Sequence, residues 1–135
     1  MDPATEPLEA AMPFARACGV RIERADPGEV IGRLTWSEER CTVGGVLHGG
    51  ALMTLADSVG AVCAFLNVPA GATTSTLDSS TVFLRPVRGG TVTATGRPLR
   101  VGRTVVVVRT EVLDDDGRLA AHVVQTQAVH HMDRS

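Results

Sequence analysis

Aromatic residues are scarce in this chain of 135 residues, where they make up 3% of the composition, and tyrosine is absent. The aromatic rings other than histidine are Phe14, Trp36, Phe65 and Phe83. So few rings argue against a large aromatic cage as a binding site. Pockets lined by leucine and valine accept phenyl and alkyl groups alike, so this scarcity does not choose between an aryl and an alkyl ligand.

Cysteine is rarer still, and the three cysteines, Cys18, Cys41 and Cys63, include no Cys-x-x-Cys pair. An odd number without paired spacing argues against a disulfide scaffold and against a zinc site. We interpret all three as free thiols in a reducing cytoplasm. His130 and His131 do not indicate a metal site either, because adjacent residues of a strand point to opposite faces of the sheet.

Positive charge is not in excess, since the formal net charge is −2. A chain with this charge has no general means of condensing on a nucleic acid backbone, so we expect no nucleic acid partner. The longest apolar stretch, residues 49–66, carries Asp57 at its middle, which argues against a membrane span. The N-terminus is acidic where an export signal would be basic. We therefore expect a cytoplasmic protein.

Hydrophobic residues make up 44% of the chain, enough for one core in a domain of this length. We expect a single domain over residues 1–135, of which residues 1–12 form a loosely ordered segment. A short N-terminal helix, kinked by Pro13, is predicted over 7–19. Alternating apolar residues on both sides of Asp26-Pro27-Gly28 predict a hairpin over 20–36.

One long helix is predicted over residues 48–66, where apolar residues recur at intervals of three and four. Four strands are predicted after it, at 72–84, 91–99, 104–113 and 119–132. The last connections are too short for crossovers, so the sheet should be antiparallel and the fold class α+β. The run Val105–Val108 predicts a strand buried on both faces at the middle of the sheet.

Asp57 is the only formally charged side chain between Arg40 and Asp78, and it lies halfway along the predicted helix. By helical phase it points away from the leucine and valine stripe at positions 52–62 that should face the sheet. Two interpretations stay open: a solubilising aspartate on the surface, or an acid in a cleft or interface whose protonation is tuned for chemistry. We favour the second, because a solvated helix face would normally carry several charges.

Glycines at positions 44, 45, 49 and 50 surround His48 where the predicted helix begins. Exposed backbone N–H groups at a helix start attract a developing oxyanion, although a tight turn also explains such glycines. Gly49 and Asp57 are eight residues apart, which separates them by about 12 Å along the helix axis. This is too far for both groups to act on one carbonyl carbon. If both are catalytic, the acid must come from a second subunit of a symmetric dimer.

The segment Gly45-Val46-Leu47-His48-Gly49-Gly50-Ala51-Leu52, followed by Leu55-Ala56-Asp57, resembles the helix signature of hotdog-fold acyl-CoA thioesterases. Within these it is most similar to the PaaI-like group linked to phenylacetate degradation. Phe83-Leu84-Arg85-Pro86 resembles the strand end found after that helix. The hairpin sequences at 101–104 and 116–119 also agree, so that the resemblance spans residues 13–129.

The resemblance implies a hotdog fold, in which an antiparallel sheet wraps one long helix, and homodimers that often pair into homotetramers. It implies that Asp57 is the nucleophile or general base, that the Gly49 N–H is the oxyanion donor and that His48 helps to set the thioester carbonyl. Thr76, or Ser75 with one residue of slack, would hold the water or the acid. Coenzyme A belongs to the substrate, and no cofactor is implied.

Substrate contacts are predicted around these catalytic residues and in a segment, residues 79–110, that holds six arginines and no acid. Arginines lining a groove would suit the phosphates of coenzyme A. The candidate substrate-binding residues are Thr42, Val46, Leu47, Gly50, Ser75, Arg85, Arg88, Gly102, Arg103 and Thr104. Thr42 stands where the family usually has an asparagine, and a hydroxyl lacks the two-ended reach of an amide.

The function expected from these residues is hydrolysis of an acyl-CoA or aryl-CoA thioester to coenzyme A and a carboxylic acid. A thiol whose ordinary pKa is about 8.5 leaves as thiolate with little help, so one acid, an oxyanion donor and a water suffice. Two alternatives stay open. One is a hotdog dehydratase or hydratase acting on 3-hydroxyacyl thioesters, and the other is an acyl-CoA-binding module without catalysis.

Overall fold

A six-stranded antiparallel sheet wraps one long helix in the computed structural model, which describes residues 5–132. The strands are β1 (Arg21–Asp26), β2 (Glu29–Thr35), β3 (Thr73–Phe83), β4 (Thr91–Val101), β5 (Val105–Leu113) and β6 (Leu119–His130). The α-helices are α1 (Glu6–Ala10), α2 (Pro13–Ala17) and α3 (Gly49–Phe65), and a 3-10 helix spans Glu38–Arg40. The strand order is β1-β2-β4-β5-β6-β3. The predicted α+β hotdog fold, with its hairpin, long helix and four following strands, is confirmed.

The N-terminal helix differs from the prediction, because residues 7–19 do not form one kinked helix. Pro13 is the first residue of α2, where its missing N–H is tolerated, and α1 ends before it. Helix α1 lies inside the segment that was expected to be loosely ordered, and its Glu9 is buried with a carboxylate oxygen 3.5 Å from Arg21 Nη1. Residues 1–4 of that segment lie outside the described residues.

The core lies between α3 and the concave face of the sheet. Fully buried side chains of the helix, such as Leu55 and Val59, pack toward buried valines of β2, β4 and β5. Gly60 and Ala64 are also buried, although they lie outside the predicted stripe. The sheet therefore covers more of the helix than its apolar stripe alone indicates. No helix within residues 5–132 is long and apolar enough to cross a membrane.

Strand β5 is buried on one face only, contrary to the prediction from its valine run. Val106 and Val108 are fully buried, whereas Val105 and Val107 are half-buried. The strand does lie in the interior of the sheet, between β4 and β6. Because successive side chains alternate between faces, α3 covers only every second valine. The outer face of the sheet has no second layer from the described part of the chain.

The packing between α3 and the sheet is close at Gly32 on β2. A Cβ at this position would lie 2.6 Å from Val59 Cγ2 and 3.3 Å from the Arg21 carbonyl oxygen. We predict that Gly32→Ala lowers the free energy of unfolding by about 1–3 kcal/mol through overpacking. Gly28→Ala is the matched control, because a Cβ there meets nothing within 4 Å. Urea denaturation measures both, and equal midpoints for the two variants would contradict this packing.

Candidate active site

Asp57 faces the edge of the sheet formed by β6 and β3, not open solvent on the far side of the helix. Its Oδ1 atom accepts hydrogen bonds from Thr76 Oγ1 at 2.8 Å and from Gln125 Nε2 at 3.1 Å. The sheet therefore covers this face of α3 as well as the face that carries the leucine and valine stripe. The sheet curves around α3 until β6 and β3 reach the face that carries the acid. An aspartate held by two side chains is not a freely solvated surface charge.

The hydroxyl group that contacts Asp57 belongs to Thr76 and not to Ser75. The Ser75 hydroxyl lies 2.7 Å from His130 Nε2. A bulge in β3 after Thr76 leaves Leu77 without a partner on β6. Thr76 pairs with Gln127, as Ser79 does with Gln125, so the bulge keeps both on the side of the sheet that faces the helix.

Two glutamines complete this cluster, and the sequence interpretation missed both. Gln125 and Gln127 are fully buried on β6, and Gln127 Nε2 donates to Thr76 Oγ1 at 2.7 Å. Their side chains continue an inward-facing alternation that starts with the buried Ala121 and Val123. The alternation along the strand predicts apolar residues at these two positions. The amides that stand there instead are the signal in the sequence that could have identified both glutamines.

The start of α3 carries the predicted oxyanion donor. His48 caps the helix, and its Nδ1 accepts the Gly50 N–H at 2.8 Å while its carbonyl oxygen accepts the Ala51 N–H at 2.9 Å. The Gly49 N–H has no hydrogen-bond partner within residues 5–132. Gly49 is therefore free to donate to a bound group, whereas the Gly50 N–H is already used. An accepting Nδ1 places the ring hydrogen of neutral His48 on Nε2.

A cleft of about 400 Å³ opens beside Gly49 and is mostly apolar. It brings together five of the predicted site residues, namely Thr42, Val46, Leu47, Gly49 and Arg85. The Phe83 ring at the end of β3 forms another wall and lies against Gly49. We refer to this space as the Gly49 cleft. It has the apolar walls and the few polar groups typical of a site for a small molecule.

A second cleft, of about 620 Å³, lies on the other side of the helix start, between α2 and α3. His48 and Gly50 line it together with Cys18 and Cys41. All three cysteines are unpaired, as predicted. Burial raises the pKa of the Cys63 thiol to about 11, so this thiol is protonated and inert near neutral pH.

The predicted arginines do not share one groove within a single chain. Arg85 and Arg88 line a cleft of about 380 Å³ next to the acidic turn Asp114–Asp116, where Asp114 and Asp116 pair with Arg118. Arg103 lies in the β4–β5 hairpin, where its carbonyl oxygen is 2.7 Å from His131 Nε2. This hairpin, with Gly102 and Thr104, adjoins the start of β3 and the end of β6.

The structure therefore separates the predicted residues into two groups at opposite ends of β3. One group consists of Asp57, Thr76 and the hairpin 102–104. The other consists of the Gly49 cleft, with Arg88 nearby. Asp57 and Gly49 lie on the same unbroken helix, so about 12 Å of axial rise separates them, as predicted.

Comparison with known proteins identifies the family. Residues 44–121 match the Thioesterase superfamily. The medium/long-chain acyl-CoA thioesterase YigI of Salmonella typhimurium is 31% identical, over 87% of this chain and 86% of that protein. The chain belongs to the Thioesterase superfamily.

Solved structures of thioesterases share the fold closely. The thioesterase PA1618 of Pseudomonas aeruginosa, crystallised as a glutamine-to-alanine variant, superposes with a TM-score of 0.90 at 29% identity. The match covers 98% of this chain and 97% of that structure. The thioesterase HI1161 of Haemophilus influenzae gives a TM-score of 0.84 at 26% identity, over 90% of this chain and 85% of that structure.

Proposed function

We propose that the protein is an acyl-CoA thioesterase that releases coenzyme A and a carboxylic acid. The observation that carries this proposal is the Asp57 carboxylate, which is held by Thr76 and Gln125 and is the only acid of α3. Membership of the Thioesterase superfamily and the likeness to a medium/long-chain acyl-CoA thioesterase support it.

The reaction needs a base or nucleophile on one side of the thioester and a hydrogen-bond donor to its oxygen. Asp57 either takes a proton from an attacking water or attacks the carbonyl carbon itself. The free N–H of Gly49 stabilises the oxyanion that develops, and the dipole of α3 adds to this effect. Collapse of the intermediate breaks the carbon–sulfur bond, and the sulfur leaves as the thiolate of coenzyme A. If Asp57 attacks the carbon itself, the acyl group remains on Asp57 as an anhydride, and a water then hydrolyses it to the carboxylic acid and the free carboxylate. No separate strong acid is required for this leaving group.

The two groups meet only if two chains associate, and β3 provides the surface. Strand β3 is an edge strand with a single neighbour, β6. Its side chains are largely exposed, including Leu77 at 64% and Val82 at 53%. A long, exposed edge strand without protecting lysine or proline is suited to pairing with a second strand. We propose an antiparallel β3–β3 pair in a homodimer.

Such a pair, centred near the middle of the strand, places the Thr76 end of one β3 beside the Phe83 end of the other. Thr76 contacts Asp57 and Phe83 lies against Gly49 within each chain. The pairing would therefore bring Asp57 of one protomer to the Gly49 cleft of its partner. Each dimer would contain two composite sites, and Arg103 of one protomer would join Arg85 of the other in contacting the phosphates of coenzyme A.

Further features of the proposal follow the family resemblance. The chain would act as a single domain of the PaaI-like type. Its substrates would include thioesters of the kind that belong to phenylacetate degradation. Two dimers would assemble into a homotetramer, and coenzyme A would be present only as part of substrate and product. Three free thiols support a cytoplasmic location.

Replacing Asp57 tests the proposal directly. Asp57→Asn preserves shape and removes the charge, so kcat for an acyl-CoA should fall by about two orders of magnitude or more. Thiol release from a panel of alkyl-CoA and aryl-CoA thioesters, followed with a chromogenic disulfide, measures this. Asp26→Asn on β1, at the opposite edge of the sheet, is the matched control and should retain activity. Near-full activity of Asp57→Asn would exclude Asp57 from the reaction.

Replacing Gly49 tests the oxyanion donor. Gly49 is the first residue of α3, a position that accepts proline, and His48 already has the extended conformation that a following proline requires. Gly49→Pro removes the N–H and should lower kcat by about 10²–10³. Gly49→Ala retains the N–H while adding the Cβ and should lose much less activity. Equal loss in both variants would show that bulk, and not the N–H, matters.

A further inference from the structure

We infer that Gln125 and Gln127 are positioning residues that hold Asp57 by its Oδ1 atom and leave Oδ2 as the reacting oxygen. This inference rests on the proposed function, because it assigns roles within the same site. Its evidence is the direction of each hydrogen bond in the cluster and the cost of burying the two amides.

The direction of the hydrogen bonds is determined by Gln127. An amide nitrogen can only donate, so the bond of 2.7 Å from Gln127 Nε2 uses a lone pair of Thr76 Oγ1. The Thr76 hydroxyl hydrogen is then available for Asp57 Oδ1 at 2.8 Å. Gln125 Nε2 donates to the same oxygen at 3.1 Å and lies 3.5 Å from the Asp57 backbone carbonyl oxygen. Oδ1 thus accepts two hydrogen bonds from fixed donors.

The second carboxylate oxygen is in a different situation. Within residues 5–132 no hydrogen bond reaches Asp57 Oδ2, and this atom is absent from the buried polar atoms that lack partners. It is therefore not fully buried. Because β3 and β6 fix the orientation of the carboxylate through Oδ1, Oδ2 is the oxygen that can meet a water or a thioester carbon.

The burial of the two glutamines is costly for stability. Both are fully buried, and the Oε1 atom of each lacks a hydrogen-bond partner in the described chain. Gly60 on α3 makes room for Gln125, since a Cβ at this position would overlap the amide. An apolar side chain of similar length would avoid two unpartnered oxygens. The amides are therefore expected to be retained for the hydrogen bonds that they donate.

The test combines kinetics with thermal stability. Gln125→Met and Gln127→Met keep the side-chain length and remove the donors. We expect kcat to fall by about tenfold to a hundredfold for Gln125→Met and by less for Gln127→Met, with KM unchanged. Tm should stay equal or rise in both variants, because an unpartnered buried oxygen is removed.

Two further comparisons separate positioning from structure. Thr76→Val should lose activity, whereas Thr76→Ser, which keeps the hydroxyl, should restore most of it. Thr110→Val is the control for a buried polar group, because Thr110 is fully buried with an unpartnered Oγ1 on β5 and takes no part in the cluster. It should leave kcat unchanged.

The outcomes distinguish this inference from the proposed function. Wild-type kcat in Gln125→Met, while Asp57→Asn is inactive, would overturn the positioning role and leave the thioesterase proposal intact. If Tm falls together with kcat in both methionine variants, the amides have a structural role. That result would also overturn the positioning role. If the wild-type protein releases no thiol from any acyl-CoA, the proposed function fails and this inference fails with it.

Discussion

The rigidity of α3 is the constraint on which the proposed site depends. The helix runs unbroken from Gly49 to Phe65, and its central residues Leu55 and Val59 are fully buried against the sheet. Gly49 and Asp57 are therefore fixed about 12 Å apart along one axis. Neither group can approach the other unless the helix unwinds, which would expose the core. A reaction that uses both groups must take them from two copies of the chain, and the free edge of β3 lies between the two ends.

The concave face of the sheet divides into an apolar and a polar part. Beneath one side of α3, buried valines of β2, β4 and β5 supply the packing. Toward β6 and β3 the same face carries Gln125, Gln127 and Thr76 around the acid. Each buried amide oxygen without a partner costs about 1–3 kcal/mol. The fold tolerates this cost because the apolar part of the core is large and continuous.

Much of the architecture could be predicted from local patterns. The recurrence of apolar residues along α3 and the turn chemistry at Asp26-Pro27-Gly28 are local properties, and both elements formed where expected. The valine run of β5 misled because alternation, and not hydrophobicity alone, decides which side chains a single helix can cover. Pro13 predicts a kink in one helix, whereas the chain forms two separate helices there.

The site was less predictable because it depends on long-range geometry. Helical phase placed Asp57 correctly relative to its neighbours on α3, but the curvature of the sheet brought β6 and β3 to that face. The bulge after Thr76 selected this residue over Ser75, and no local signal marks such a bulge. The separation of Arg85 from Arg103 follows from the strand order, which composition does not contain. The alternation of β6, with amides at two inward positions, was the one clue that could have been used.

The composite nature of the site is tested most directly by a heterodimer of two inactive chains. Asp57→Asn and Gly49→Pro chains, carrying different tags, are co-expressed, and the dimers that contain both are purified. Such a heterodimer has one site with an intact acid and an intact donor, so it should recover about half of the wild-type activity per dimer. If the heterodimer is as inactive as each parent, the acid and the donor of a working site do not come from different chains, and the proposed composite site is contradicted.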